Sequence, residues 1–80
     1  MPNIYQQFRE ATDSASRAAA IEWLLDPTDA AEIALESALI AAGHQRPNEA
    51  VALIDMDFDD SRVVIIAFDS GRTLRIPTVQ

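Results

Sequence analysis

Apolar residues recur every three or four positions through the first half of the chain and every second position through its last third. A single change of period of this kind predicts helices followed by strands. That order points to an α+β domain rather than alternating βαβ units. In the first segment Asn3 can act as a cap, and Ile4, Phe8, Ala11 and Ala15 form the apolar side. Continuing this helix through Ala18 toward Leu25 puts Glu22 on the apolar side, and Thr12-Asp13-Ser14 reads as a break or second cap. The pattern therefore admits one bent helix or two short ones. Asp26-Pro27-Thr28-Asp29 ends this region and starts the next helix, because Asp or Thr can cap free amides and proline is tolerated in a first turn. Over 29–42 the periodic face is Ala31, Leu35, Ala38, Leu39 and Ala42, with Ile33 and Ile40 nearly opposite. This predicts a helix packed on two sides in the middle of the domain. Gly43 provides the left-handed residue that ends it.

After the polar loop 44–48, segments 50–58, 62–69 and 72–77 read as strands joined by Asp59-Asp60-Ser61 and Ser70-Gly71. The middle segment, Val63-Val64-Ile65-Ile66-Ala67-Phe68, is apolar on both faces and suits a central strand. In the last, Leu74 and Ile76 alternate with Thr73, Arg75 and Pro77, which gives one buried face. The expected architecture is two or three N-terminal helices packed on a C-terminal three-stranded antiparallel sheet. It forms a single domain over 1–80, with a helical half 1–43 and a β-meander 50–77.

Eighty residues leave room for one core. The absence of cysteine excludes a disulfide framework, thiolate zinc sites, iron–sulfur clusters and a cysteine nucleophile. No uncharged run approaches the ~20 apolar residues that span a bilayer. Met1-Pro2-Asn3 opens no basic, then apolar, leader, so a cytoplasmic protein is expected. Thirteen acids against six bases, all arginine, give a net charge of −7. Repulsion then disfavours direct binding to nucleic acid or an anionic membrane, and a cationic partner surface is the complement. Most of the excess lies in 1–43, where seven acids face only Arg9 and Arg17.

Two acidic groupings carry candidate binding chemistry. In a strand, Asp55, Asp57 and Asp59 fall on one face at intervals of about 6.6 Å, with Asp60 following. A calcium loop fails here, because Asp60 stands where glycine is needed and Ile66 where a bidentate glutamate is needed. The bland alternative is a solvated strand end whose charge discourages sheet pairing. Asp29, Glu32 and Glu36 form a stripe along the second helix. Helix electrostatics account for the first two at the N-terminus, and Glu36 is left unexplained.

Catalysis is not expected. The lone imidazole, His44, and the serines at 14, 16, 37, 61 and 70 sit in no nucleophile motif. His44 is read as meeting the end of a helix dipole or lying exposed. Gly43 and Gly71 are too sparse for a phosphate-cradling loop, so neither nucleotide nor other cofactor is expected, nor a metal. Trp23 is placed in the core in preference to an exposed patch with Leu24. Arg62, Arg72 and Arg75 are positioned to neutralise Asp57, Asp60 or Asp69 across strands.

A very short, acidic, cysteine-free chain with helices and a small sheet, bearing Asp29, Glu32, Glu36, Asp55, Asp57, Asp59 and Asp60, resembles the small phage-encoded anti-CRISPR proteins, several of which imitate DNA. The resemblance covers the whole chain in format and rests on those acidic residues. It implies a non-enzymatic inhibitor acting in the host cytoplasm. Its partner would be a basic nucleic-acid-binding protein such as a CRISPR effector complex, bound in competition with DNA. A monomer or weak dimer is expected. The alternative is a small subunit or antitoxin-like partner that uses Trp23, Leu24, Ile33 and Ile40 as apolar contacts.

Overall fold

The computed structural model describes residues 9–79. Along this span the order is β1 (Arg9–Glu10), α1 (Ser14–Leu25), α2 (Asp29–Ala41), β2 (Val51–Met56), β3 (Val63–Phe68) and β4 (Thr73–Pro77). The fold is α+β, with two helices and a four-stranded mixed sheet in the order β1-β4-β3-β2.

The expected first helix is corrected at its start. Asn3, Ile4 and Phe8 lie outside the described residues, but Arg9 and Glu10 are strand, paired parallel to Leu74 and Arg75 of β4. The Ala11 N–H extends that ladder to the Arg75 carbonyl at 2.9 Å. Helix α1 begins only at the second candidate cap, where the Asp13 carboxylate accepts the Ser16 N–H at 3.0 Å. Of the residues expected on its apolar face, Ala11 is buried ahead of the helix and Ala15 is exposed. The helix instead turns Ser16 and Ala20 into the core, with Trp23 and Leu24 half-buried beside them.

Thr28 caps α2 by accepting the Ala31 N–H at 3.1 Å. Its far end is closed by a Schellman arrangement: Gly43 N–H to Ile40 carbonyl, 3.0 Å, and His44 N–H to Leu39 carbonyl, 2.8 Å. Gly43 takes the required left-handed conformation, φ +82°. The expectation of burial on two sides is corrected: Leu35 and Leu39 are buried, whereas Ile33 is 63% exposed and Ile40 is also exposed. Two helices covering one sheet face leave the outer side of α2 to solvent.

The three later strands form the expected meander, although the sheet is not a three-stranded antiparallel one, because β1 adds a parallel edge. β3 is interior, and the register pairs Val64 with Ile76 and Ile66 with Leu74. These four residues, with Phe68, Leu35, Leu39, Ala20 and Ala11, make the buried cluster between helices and sheet. Ile54 and Val51 of β2 pack against its margin. Gly71, at φ +92°, turns the chain between β3 and β4.

Candidate functional site

Of the acids expected on α2, Asp29 and Glu32 occupy its first turn. Glu36 does not join them as a free charge. Its Oε1 accepts the Gln45 side-chain amide at 3.1 Å and the Val51 N–H at 3.3 Å, which ties the loop after α2 to the start of β2. The carboxylate left unexplained by helix electrostatics is thus a structural acceptor.

The strand aspartates also part company. Asp55 is exposed and pairs across the ladder with Ile65, on the sheet face away from the helices. Asp57 accepts from Arg75 Nη1 at 2.8 Å, with its side chain only 14% exposed. It also accepts the Asp59 N–H at 3.0 Å, so it organises the turn as well as neutralising Arg75. Asp60 accepts from its near neighbour Arg62 through both the backbone N–H and Nε. The bonds from Arg62, against a smaller opposing effect of burial, hold its carboxyl below the ordinary value of 3.8. Asp55 and Asp59 are therefore the two with no ion-pair partner among the described residues. Of the expected neutralisations, Arg75–Asp57 crosses strands as anticipated, Arg62–Asp60 is local, and Arg72 pairs with Glu49 rather than Asp69.

A different acidic grouping emerges at the α1–α2 corner. A hollow of about 350 Å³ is lined by Ala19, Glu22, Asp26, Thr28, Ala30, Ala31 and Ala34. Glu22 and Asp26, from the end of α1, stand beside a floor of small residues from the start of α2, whereas Asp29 and Glu32, in the first turn of α2, lie on the other side of that helix from Ala30, Ala31 and Ala34. None of the four is ion-paired among the described residues. Asp29 and Glu32 are favoured by the positive end of α2, but Glu22 and Asp26 sit at the negative end of α1, where no base offsets them. Each such charge costs about 0.3–1 kcal/mol at a helix C-terminus. Sequence reading missed this site because Glu22 and Asp26 belong to a different periodic segment from Ala30, Ala31 and Ala34, and only the turn at Pro27 brings them together.

His44 reaches Asp13, its Nε2 2.7 Å from Oδ1, and so ties the end of α2 to the start of α1. Burial pushes the Asp13 carboxyl up, but the Ser16 N–H and His44 outweigh this and hold it below 3.8. No serine lies within this pair's hydrogen bonds except Ser16, which contributes its backbone N–H. Among the described residues no group of three or more His, Asp or Glu has the arrangement of a metal site, and no helix is long and apolar enough to cross a membrane. No family model, curated protein or solved structure matches the chain.

Proposed function

We propose that this protein is a non-enzymatic acidic binding protein that covers a basic surface of a partner, with the α1–α2 corner at the centre of contact. The observation that carries this reading is the placement of Glu22 and Asp26 at a helix end that disfavours them, beside a hollow floored by small residues and with no compensating base among the described residues. Charge kept against a local electrostatic cost is explained when a cationic partner neutralises it. The small-residue floor lets an arginine or lysine side chain enter between the carboxylates. A nucleic-acid-binding groove is the cationic surface such an array suits, because its own ligand presents closely spaced negative charge. This is the inhibitor chemistry of a DNA mimic, and a CRISPR effector complex is one partner of that class. Asp55, on the sheet face away from the helices, and Asp59, in the β2–β3 turn, carry further unpaired charge, whereas Asp57, Asp60 and Glu36 are engaged in internal bonds.

A second reading is favoured by exposed apolar side chains. Ile33 and Ile40 lie seven residues apart on the outer side of α2, Leu25 at the end of α1 is 79% exposed, and Phe58 in the β2–β3 turn is wholly exposed. Trp23 and Leu24, half-buried against the core, contribute little to such a face. An obligate subunit would bury these residues against another chain.

Salt and DNA separate the two. Capture on the tagged protein is expected to retain a nucleic-acid-binding partner that rising salt and added duplex DNA release. Glu22→Lys combined with Asp26→Lys is expected to lose it while keeping the wild-type circular dichroism. A single partner held at high salt, lost in Ile33→Ser with Ile40→Ser and unaffected by the lysine changes, would overturn the acidic reading in favour of the apolar one.

A further inference from the structure

The arginines are as unevenly arranged as the acids. Arg62 and Arg75 are ion-paired, and Arg17 Nη2 donates to the Thr12 carbonyl at 3.1 Å. The other three, Arg9 from β1, Arg46 from the loop after α2 and Arg72 from the β3–β4 turn, line one hollow of about 370 Å³ together with Gly71 and Thr73. Three cations from segments far apart in sequence converge here in a chain of net charge −7.

Their states differ in a way that suits a binding site. Arg72 is fixed: its Nε lies 3.2 Å from Glu49 Oε2, its Nη2 donates to the His44 carbonyl at 2.8 Å, and its guanidinium stands 5.6 Å from the centre of the Phe68 ring. Glu49 is itself held by the Arg46 N–H at 2.9 Å and by the Ser70 hydroxyl, so this part of the wall is built before any ligand arrives. Glu49 offsets the charge of Arg72, but Arg9 and Arg46 are exposed and have no acidic partner among the described residues. At Gly71 nothing lies within 4 Å of where a side chain would begin, which leaves that side of the hollow open.

We propose that this hollow binds the phosphate-monoester group of a small metabolite. Arginine forks match phosphate oxygens in paired hydrogen bonds, and two uncompensated guanidiniums beside a fixed third balance a dianion. The volume is at the lower end of small-ligand sites, enough for the phosphate and a compact organic group. The acidic remainder of the molecule repels an extended polyanion, so the ligand is a compact anion recognised at short range rather than a nucleic acid. The site is separate from the acidic corner, and its failure leaves the proposed function untouched.

The test is a ¹⁵N–¹H NMR titration at constant ionic strength with inorganic phosphate and, separately, ribose 5-phosphate. Sodium chloride serves as the control. Saturable shifts centred on Gly71, Arg72 and Thr73 are expected for both phosphates, with the ester binding more tightly. Arg9→Gln and Arg46→Gln are both surface changes expected to preserve the spectrum elsewhere, and each is expected to weaken binding about tenfold. Tighter binding of inorganic phosphate than of the ester would overturn the metabolite assignment. Chloride-matched shifts, absence of saturation at tens of millimolar, or wild-type affinity in the protein carrying both Arg9→Gln and Arg46→Gln would each overturn the site itself.

Discussion

Asp13 performs two tasks at once, and replacing it separates them. Its Oδ2 caps α1 through the Ser16 N–H at 3.0 Å, and its Oδ1 meets His44 Nε2 at 2.7 Å. Removing a capping acceptor costs about 0.5–2 kcal/mol. The His44 contact joins side chains 23% and 35% exposed, so solvent screening limits it to about 0.2–1 kcal/mol. Asp13→Ala should therefore destabilise by about 1–3 kcal/mol, a large part of the few kcal/mol available to so small a domain. Asp13→Asn keeps an acceptor suited to capping and should lose mainly the charge at His44, so its cost should be smaller. Urea unfolding at pH 7, followed by Trp23 fluorescence and by circular dichroism, measures both. A cycle with His44→Ala isolates the coupling between the two residues. If Asp13→Ala lies within about 0.3 kcal/mol of wild type, the cap contributes nothing measurable. If the cycle shows strict additivity, the tie between the helices has no energetic content.

Four further outcomes follow from the same geometry. Leu39→Ala, at a fully buried position under the sheet, should cost about 2–5 kcal/mol in urea unfolding. Arg75→Ala should cost about 1–3 kcal/mol because it strands the largely buried Asp57 carboxylate, and Asp57→Ala with Arg75→Ala should cost less than the sum of the two single changes. Gly71→Ala should destabilise by about 1–2 kcal/mol, since φ +92° is strained for any side chain although the space beside it is open. Stability should fall with acid. The Ser70 hydroxyl, then the Arg46 N–H, hold the Glu49 carboxyl below its ordinary 4.5 despite burial, and Asp13 and Asp60 lie below 3.8. Depressed carboxyls contribute fully above those ordinary values, and the contribution is lost as pH falls through the lower folded values. Asp13→Asn and Glu49→Gln should each flatten that acid limb, as read from thermal melts between pH 6 and pH 2.

The fold was legible wherever its signal was local. The doubly apolar run of β3, the alternation of β4, Gly71 at the turn, Thr28 before α2 and Gly43 after it are each written in a few adjacent residues, and each stands where the pattern placed it. Strand β1 was not legible, because two residues show no period and Arg9–Glu10 is strand only by pairing with β4 from the other end of the chain. The same long-range contact explains the false face assigned to α1: once Ala11 belongs to the strand side, the helix is free to rotate Ser16 and Ala20 inward. The acidic residues were visible as a count but not as a surface. Nothing local distinguishes Glu36, which fastens a loop, from Glu32, or Asp57, which is paired across the sheet, from Asp55. The hollow lined by Arg9, Arg46 and Arg72 was invisible for the same reason, since its members come from three separate segments.

Both edges of the sheet are built to resist further pairing, and this bears on how a partner can be recognised. The described part of β1, Arg9–Glu10, is fully charged. β2 departs from regular register between Val51 and Leu53 and carries the exposed Asp55. Charge and irregularity both discourage an added strand. Leu53 and Met56, exposed beside that edge, therefore lack the uninterrupted backbone ladder that strand addition would need. Under the proposed function, recognition then falls to surfaces made of side chains. On the helical side these are unpaired carboxylates at the α1–α2 corner, and at the turn end of β4 they are guanidiniums around a hollow. Charges of opposite sign are held at separate places, so the two proposed ligands, one cationic and one anionic, would not compete for the same residues.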